Sequence, residues 1–188
     1  LRAALEVFIE RGIDGASIEQ IADTAGVART TLYRRWSTKE ELISEAIAAA
    51  RGTPEQQAAD RVALIRLPGL LADSLAEMLT RPDYLKVAAR LIGSVPSHPE
   101  LMAIYWNNYM VPRREIVRGL IERARDEGLI REDADPELLM DLISGAIIHH
   151  SLVRPGRRSG AEMREYLLAV LRELGLTGEA EPSPRNSR

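Results

Sequence analysis

Apolar residues recur at helical spacing from the start of the chain. Leu1, Leu5 and Phe8 fall at i, i+4 and i+7, and Ile9 widens the stripe. Gly12 is placed to end that helix, because glycine enters the left-handed region without a Cβ clash. Asp14-Gly15 reads as a turn. Ser17 followed three residues on by Gln20 is a capping box, and it predicts a second helix buried through Ile18, Ile21, Ala22 and Ala25. Gly26 permits a sharp turn, and a third helix follows with Leu32 as its inward anchor. Thr38 with Glu41 predicts another capping box, opening a fourth helix with Leu42, Ile43, Ala46 and Ile47 inward.

Gly52-Thr53-Pro54 breaks the pattern and sets a domain boundary. Pro68, Pro82 and Pro99 each suit the first turn of a new helix. The stretch 99–126 is long, and Pro112 within it predicts a kink or a split. Gly128 ends that stretch, Asp135-Pro136 opens the next helix, and Ser159 with Glu162 caps the last, which Gly175 closes. The polar residues from Thr177 to Arg188 read as a disordered tail. No stretch has strand periodicity. The expected fold is all-α, with an N-terminal three-helix head carrying a helix-turn-helix over 1–50. A C-terminal helical bundle over 51–176 is expected to form a ligand pocket and a dimer interface, and the tail covers 177–188.

The two helices hinged at Gly26 have the form of a helix-turn-helix, whose second helix enters a DNA major groove. With Arg29 at zero and about 100° per residue, Tyr33 falls near 40°, Thr30 near 100° and Arg34 near 140°. These four share one face, Thr31 lies at its edge, and Leu32 and Arg35 lie opposite. The net charge of −3 argues against DNA binding if it is taken as a sum. Its distribution reverses that reading: Arg29, Arg34, Arg35 and Lys39 lie between positions 24 and 39 with no acid among them. A solvated surface face is the alternative for the same residues. Arg29 suits guanine O6 and N7, a contact that supplies roughly 1–3 kcal/mol of discrimination.

Tyr84, Tyr105, Trp106 and Tyr109 are half of the chain's eight aromatics, and Met78, Met102 and Met110 lie nearby in sequence. Aromatic and methionine side chains between helices suit a small-molecule pocket. They suit core or interface packing equally well. Adjacent His149 and His150 point about 100° apart on a helix and make a poor metal pair. His149 joins the candidate lining, with a structural role as the alternative for both. Leu138, Leu139, Met140, Leu142, Ile143, Ile147 and Ile148 cover most of one helix, which must therefore be buried on more than one side. Met163, Tyr166, Leu167, Val170, Leu171 and Leu174 follow on the last helix, and Gly145-Ala146 permits close approach. Helices over about 136–153 and 160–174 from two subunits would form a four-helix interface. A larger internal core is the monomeric alternative.

Composition narrows the classes. The 188 residues contain no cysteine, so disulfides and thiolate metal sites are excluded. No apolar run reaches the length of a membrane span, and no secretion signal opens the chain. The expected location is cytoplasmic. Leu1 already lies in a helix, so a few residues are expected in front of it. No nucleophile–base arrangement or metal spacing is visible, so neither an enzyme nor a cofactor is expected.

Over Ser17 to Leu42 the sequence resembles the TetR family of bacterial transcriptional repressors. The residues that carry the resemblance are Phe8, Gly12, Ser17, Ile21-Ala22, Ala25-Gly26-Val27, Leu32-Tyr33 and Lys39-Glu40-Glu41-Leu42. The resemblance implies a homodimer with an N-terminal DNA-binding head and a C-terminal effector domain. It implies phosphate contacts by Tyr33, Lys39 and Ser17, and base reading by Arg29, Thr30 and Thr31. It places Arg34 near the DNA backbone. Two positions depart from the family pattern: Ala28 stands where a serine often caps the third helix, and Trp36 replaces a phenylalanine. A missing cap costs about 1 kcal/mol, so the third helix is expected to be loose when free of DNA. The implied function is a repressor that binds a palindromic operator and is released by a small-molecule effector. A constitutive DNA-binding module without an effector is the alternative.

Overall fold

The computed structural model describes residues 1–51, 68–156 and 158–176. The boundary expected at Gly52-Thr53-Pro54 and the tail 177–188 lie outside the described residues. Among the described residues every regular element is helical. The chain divides into two compact units, Leu1–Pro54 with Pro82–Arg113, and Glu55–Arg81 with Arg114–Arg188.

The first unit opens with α1 (Arg2–Arg11), α2 (Ile18–Ala25), α3 (Arg29–Tyr33) and α4 (Lys39–Ala50). Ser17 and Gln20 form both halves of the expected capping box on α2. Gly26 ends α2 in the left-handed conformation, φ 67° and ψ 33°, and the next N–H, on Val27, closes back on the Ala22 carbonyl. That reversal sets α3 against α2, and a side chain at Gly26 would strain it. Only half of the box expected on α4 forms. Thr38 accepts from the Glu41 N–H, while Glu41 reaches past it to accept from the Ser37 N–H at 2.8 Å.

The core of this unit draws Phe8, Ile21, Ala22, Leu32, Leu42, Ile43 and Ile47 together. It also takes in Val87, Leu91, Leu101, Tyr105 and Tyr109. These come from α5's successors in the chain: with α5 at Pro68–Thr80, they lie on α6 (Pro82–Gly93), α7 (Pro99–Tyr105) and a π-helical turn at Trp106–Met110. The packing unit thus combines the head with a segment some thirty residues further on in sequence. The π turn directly precedes α8 (Val111–Asp126). Proline has no N–H and its ring clashes with the carbonyl four residues back, so an α-helical register cannot run through Pro112 undisturbed. The wider turn absorbs the misfit and splits the 99–126 stretch where the sequence predicts a break.

The second unit holds α5, most of α8, α9 (Pro136–Ile148), a second π turn at His149–Val153, and α10 (Gly160–Glu173). Asp135 caps α9, and Ser159 with Glu162 forms the capping box on α10. α10 packs along α5, where Ala72, Ala76 and Leu79 are buried and Arg164 pairs with Asp73. Glu137 on α9 receives both Arg114 and Arg118 from α8, and Asp141 receives Arg114 at 2.8 Å. These arginines hold the Glu137 carboxyl below the usual carboxylate range.

Candidate nucleic-acid interface

α3 is five residues long, too short to persist by its own hydrogen bonds. Its N-cap, Ala28, makes no side-chain capping bond, as the sequence predicts. Tertiary contacts hold it instead. Leu32 is buried, and the side chains just beyond the helix are fixed by Glu45 of α4. Glu45 accepts from the Arg35 guanidinium through one oxygen and from the Trp36 indole N–H through the other, both at 2.7 Å. Arg35, which the helical wheel sets apart from the reading face, is thus a fastener between α3 and α4.

Arg29, Thr30, Thr31, Tyr33 and Arg34 are all exposed, Tyr33 at 52 %. A tyrosine this exposed beside a 92 %-buried Leu32 gives α3 one face for the core and one for solvent. Arg29 pairs with Glu19 of α2 at 3.5 Å. Backbone hydrogen bonding at the start of α2 holds the Glu19 carboxyl below its ordinary value, and Arg29 and Ser17 add to this. Glu19 thus stands beside the guanidinium of Arg29 as an exposed charge partner. In the sequence, Glu19 stands in the first turn of α2, where the helix dipole favours an acid over a base-reading role. Its proximity to Arg29 depends on the angle between α2 and α3, which no local pattern encodes.

Ser17 sits at the tip of α2, with its hydroxyl accepting from the Gln20 N–H at 3.2 Å. The Lys39 ammonium donates to the carbonyls of Ile13 at 2.8 Å and Ala16 at 3.3 Å. It ties the start of α4 to the turn before α2. An ammonium carries three donors, so one N–H of Lys39 remains beyond these two bonds.

The residues singled out as pocket lining divide between the units. Tyr84, Met102, Tyr105, Trp106 and Tyr109 belong to the first, and Met78 and His149 to the second. Tyr105 and Tyr109 are buried and stacked, with ring centroids 5.0 Å apart. Met102 packs against the same core, and Trp106 is 41 % exposed. His149 is exposed, while its neighbour His150 is buried and stacked on Tyr166 at 3.7 Å. Burial, with Arg158 and Arg154 adding, pushes the His150 imidazole below its ordinary value. Among the described residues no group of three or more metal-binding side chains is assembled, and no helix is long and apolar enough to cross a membrane.

A helix-turn-helix with a buried anchor and an exposed basic face defines the class as a DNA-binding regulator. Residues 1–46 match the bacterial regulatory proteins of the tetR family, and residues 70–170 match the tetracyclin repressor-like C-terminal domain. The chain belongs to the TetR family of helix-turn-helix transcriptional regulators. It is 27 % identical over 181 residues to the uncharacterized HTH-type transcriptional regulator YdeS of Bacillus subtilis, covering 96 % of this chain and 90 % of that one. It is 29 % identical over 157 residues to the DNA-binding transcriptional repressor TetR of Mycobacteroides abscessus, covering 79 % and 78 %. A TetR-family regulator from Mesorhizobium loti shares the fold with a TM-score of 0.72 at 23 % identity, over 92 % of this chain and 91 % of that one. Thermus thermophilus FadR, a TetR-family repressor in complex with lauroyl-CoA, shares it with a TM-score of 0.63 at 22 % identity, over 97 % and 96 %.

Proposed function

We propose that this regulator is a cytoplasmic repressor that binds a roughly palindromic operator as a homodimer and is released by a small-molecule effector. The carrying observation is the exposed face of α3. Arg29, Thr30 and Thr31 read base edges, while Tyr33, Arg34, Lys39 and Ser17 contact phosphates. Phosphate contacts fix register and base contacts supply sequence preference. Residues 1–50 supply the DNA-binding part and 51–176 the effector and dimerisation part.

Dimerisation is supported by α9 and α10. Leu138 is 52 % exposed and Leu142 46 % exposed, although Leu139 and Met140 between them are buried in their own unit. A helix that is apolar on both its buried and its exposed sides suits a second partner. A Cβ built on Gly145 meets nothing within 4 Å among the described residues. A bulky residue there disturbs a partner before it disturbs the protomer. Effector binding is supported by the repressor neighbour bound to lauroyl-CoA and by the flavonoid-responsive regulator FrrA, which has the same fold. Within the first unit the candidate lining is Tyr84, Met102, Tyr105, Trp106 and Tyr109.

Selection of bound fragments from the native genome, followed by footprinting, tests this reading. It predicts an inverted repeat with half-sites spaced by whole helical turns, a dimer in sedimentation, and a monomer for Gly145→Leu. Unselective binding, or a wild-type monomer at micromolar concentration, contradicts it. Operator affinity that no compound alters favours the constitutive alternative.

A further inference from the structure

α4 is held at both ends. At its start, Lys39 binds the carbonyls of Ile13 and Ala16, and Glu45 grips Arg35 and Trp36 next to the reading face. A change in the direction of α4 must therefore move α3. At its other end stands Arg51, the C-cap residue. Its guanidinium lies 4.5 Å from the ring centre of Tyr84 and 5.6 Å from that of Tyr105, and it donates to the Tyr84 hydroxyl at 3.3 Å. Tyr105 stacks on Tyr109. The Arg113 guanidinium lies 3.6 Å from the ring centre of Tyr109 and donates to the Arg51 carbonyl at 3.4 Å. The contacts close a circuit: Arg51, Tyr105, Tyr109, Arg113 and back to Arg51.

Each link has a physical reason. The last carbonyls of a helix lack partners within it, and they form the negative end of its dipole. Arg113 supplies both a donor and a positive charge there. A guanidinium is planar and weakly hydrated, so it lies against an aromatic face more favourably than an ammonium does. Tyr105, Tyr109 and Arg113 are each more than 90 % buried, which strengthens cation–π attraction over its exposed value. Tyr109 lies in the π turn that precedes Pro112, so the circuit is seated on a backbone irregularity rather than on a regular helix.

We infer that Arg51 and Arg113 are positioning residues for operator recognition: the closed Arg–Tyr ring sets the direction of α4 and, through Glu45, of α3, without either arginine touching DNA. This rests on the reading of α3 as the DNA-binding face.

The test uses the full chain and a genome-selected operator duplex. Affinity is measured across a salt series for wild type, Arg51→Met, Arg113→Met, the double variant, Val7→Ala and Tyr33→Ala. The ring variants are expected to stay helical by circular dichroism and to lose about tenfold or more in affinity. Their salt slopes match the wild type, because no phosphate contact is removed. The double variant loses little more than the worse single one, because either substitution opens the same circuit. Val7→Ala, a truncation in the buried face of α1, loses stability but keeps its affinity when compared at matched fraction folded. Affinity within about twofold of wild type for both single variants overturns the inference. So does a salt slope lower by about one per variant, which would make that arginine a phosphate contact. An equal affinity loss in Val7→Ala also overturns it, because the ring would then act only through stability. If a methionine variant fails to fold, Arg51→Lys decides: it keeps the charge and loses the planar stack, and unchanged affinity overturns the inference. Tyr33→Ala at full affinity overturns the DNA-binding reading itself and not only the ring.

Discussion

The first unit uses arginine in two opposite ways. On α3 and at its C-cap, Arg29 and Arg34 stand in solvent, and Arg29 has the exposed carboxylate of Glu19 beside it. Past the end of α4, Arg51 and Arg113 lie against tyrosine rings, and Arg113 is 93 % buried. The residue type is the same, but surroundings divide the roles. An exposed guanidinium with a weak partner is available to a phosphate or a guanine. A buried one fixes the chain around it. Variants on the two sides should therefore differ in whether a loss of stability accompanies the loss of recognition.

The largest effect is expected for Arg113→Ala. It removes a desolvated cation–π contact and a charged hydrogen bond, so thermal or urea unfolding should show a loss of about 2–3 kcal/mol. A loss below about 0.5 kcal/mol would place Arg113 with the surface arginines. Arg29→Ala should leave the fold untouched. Its unfolding free energy should stay within about 0.5 kcal/mol of wild type. Discrimination at one operator base pair should drop by roughly 1–3 kcal/mol, as read by competition between operator variants. Uniform weakening on all sequences would reassign Arg29 to the phosphates. Ser17→Ala should cost about 1 kcal/mol of stability through the lost cap, together with a modest loss of operator affinity. Stability loss without any affinity loss would limit Ser17 to capping.

The smallest effect concerns pH and lies in the second unit. Hydrogen bonds from Arg118 and Arg114 depress the Glu137 carboxyl. A depressed carboxylate contributes stability that is complete above its unfolded value, roughly 4.3, and is lost as pH falls through the lower folded value. Wild type should therefore exceed Glu137→Gln in melting temperature at neutral pH, and the gap should close in acid. A gap that persists unchanged in acid would show that the pair does not act through charge.

The contrast between the arginines also shows what could be read in the sequence. Arg35 was separable from Arg29 and Arg34 because a helical wheel needs only neighbouring residues. The same holds for the caps at Ser17 and Ser159, the turn at Gly26, the missing cap at Ala28 and the break before Pro112. Each depends on groups within a few positions of one another. The ring around Arg51 was not legible. Its members come from positions 51, 84, 105, 109 and 113, and apolar periodicity tells which face of a helix is buried but not against what. The core residues Val87, Leu91 and Leu101 show the same limit, since they complete the core of the helix-turn-helix unit. On α4 only half of the box forms, and the Glu41 carboxylate accepts from the Ser37 N–H; residue type does not decide this, since Glu162 completes the box on α10.

DNA binding by the solvent face of α3 underlies each of the recognition outcomes. Titration of a genome-selected operator with wild type and Tyr33→Ala tests it most directly, because Tyr33 is exposed and its loss should leave the fold intact. Binding should weaken by about tenfold on every operator variant, with unchanged discrimination among them. Wild-type affinity in Tyr33→Ala, at equal stability, would contradict it.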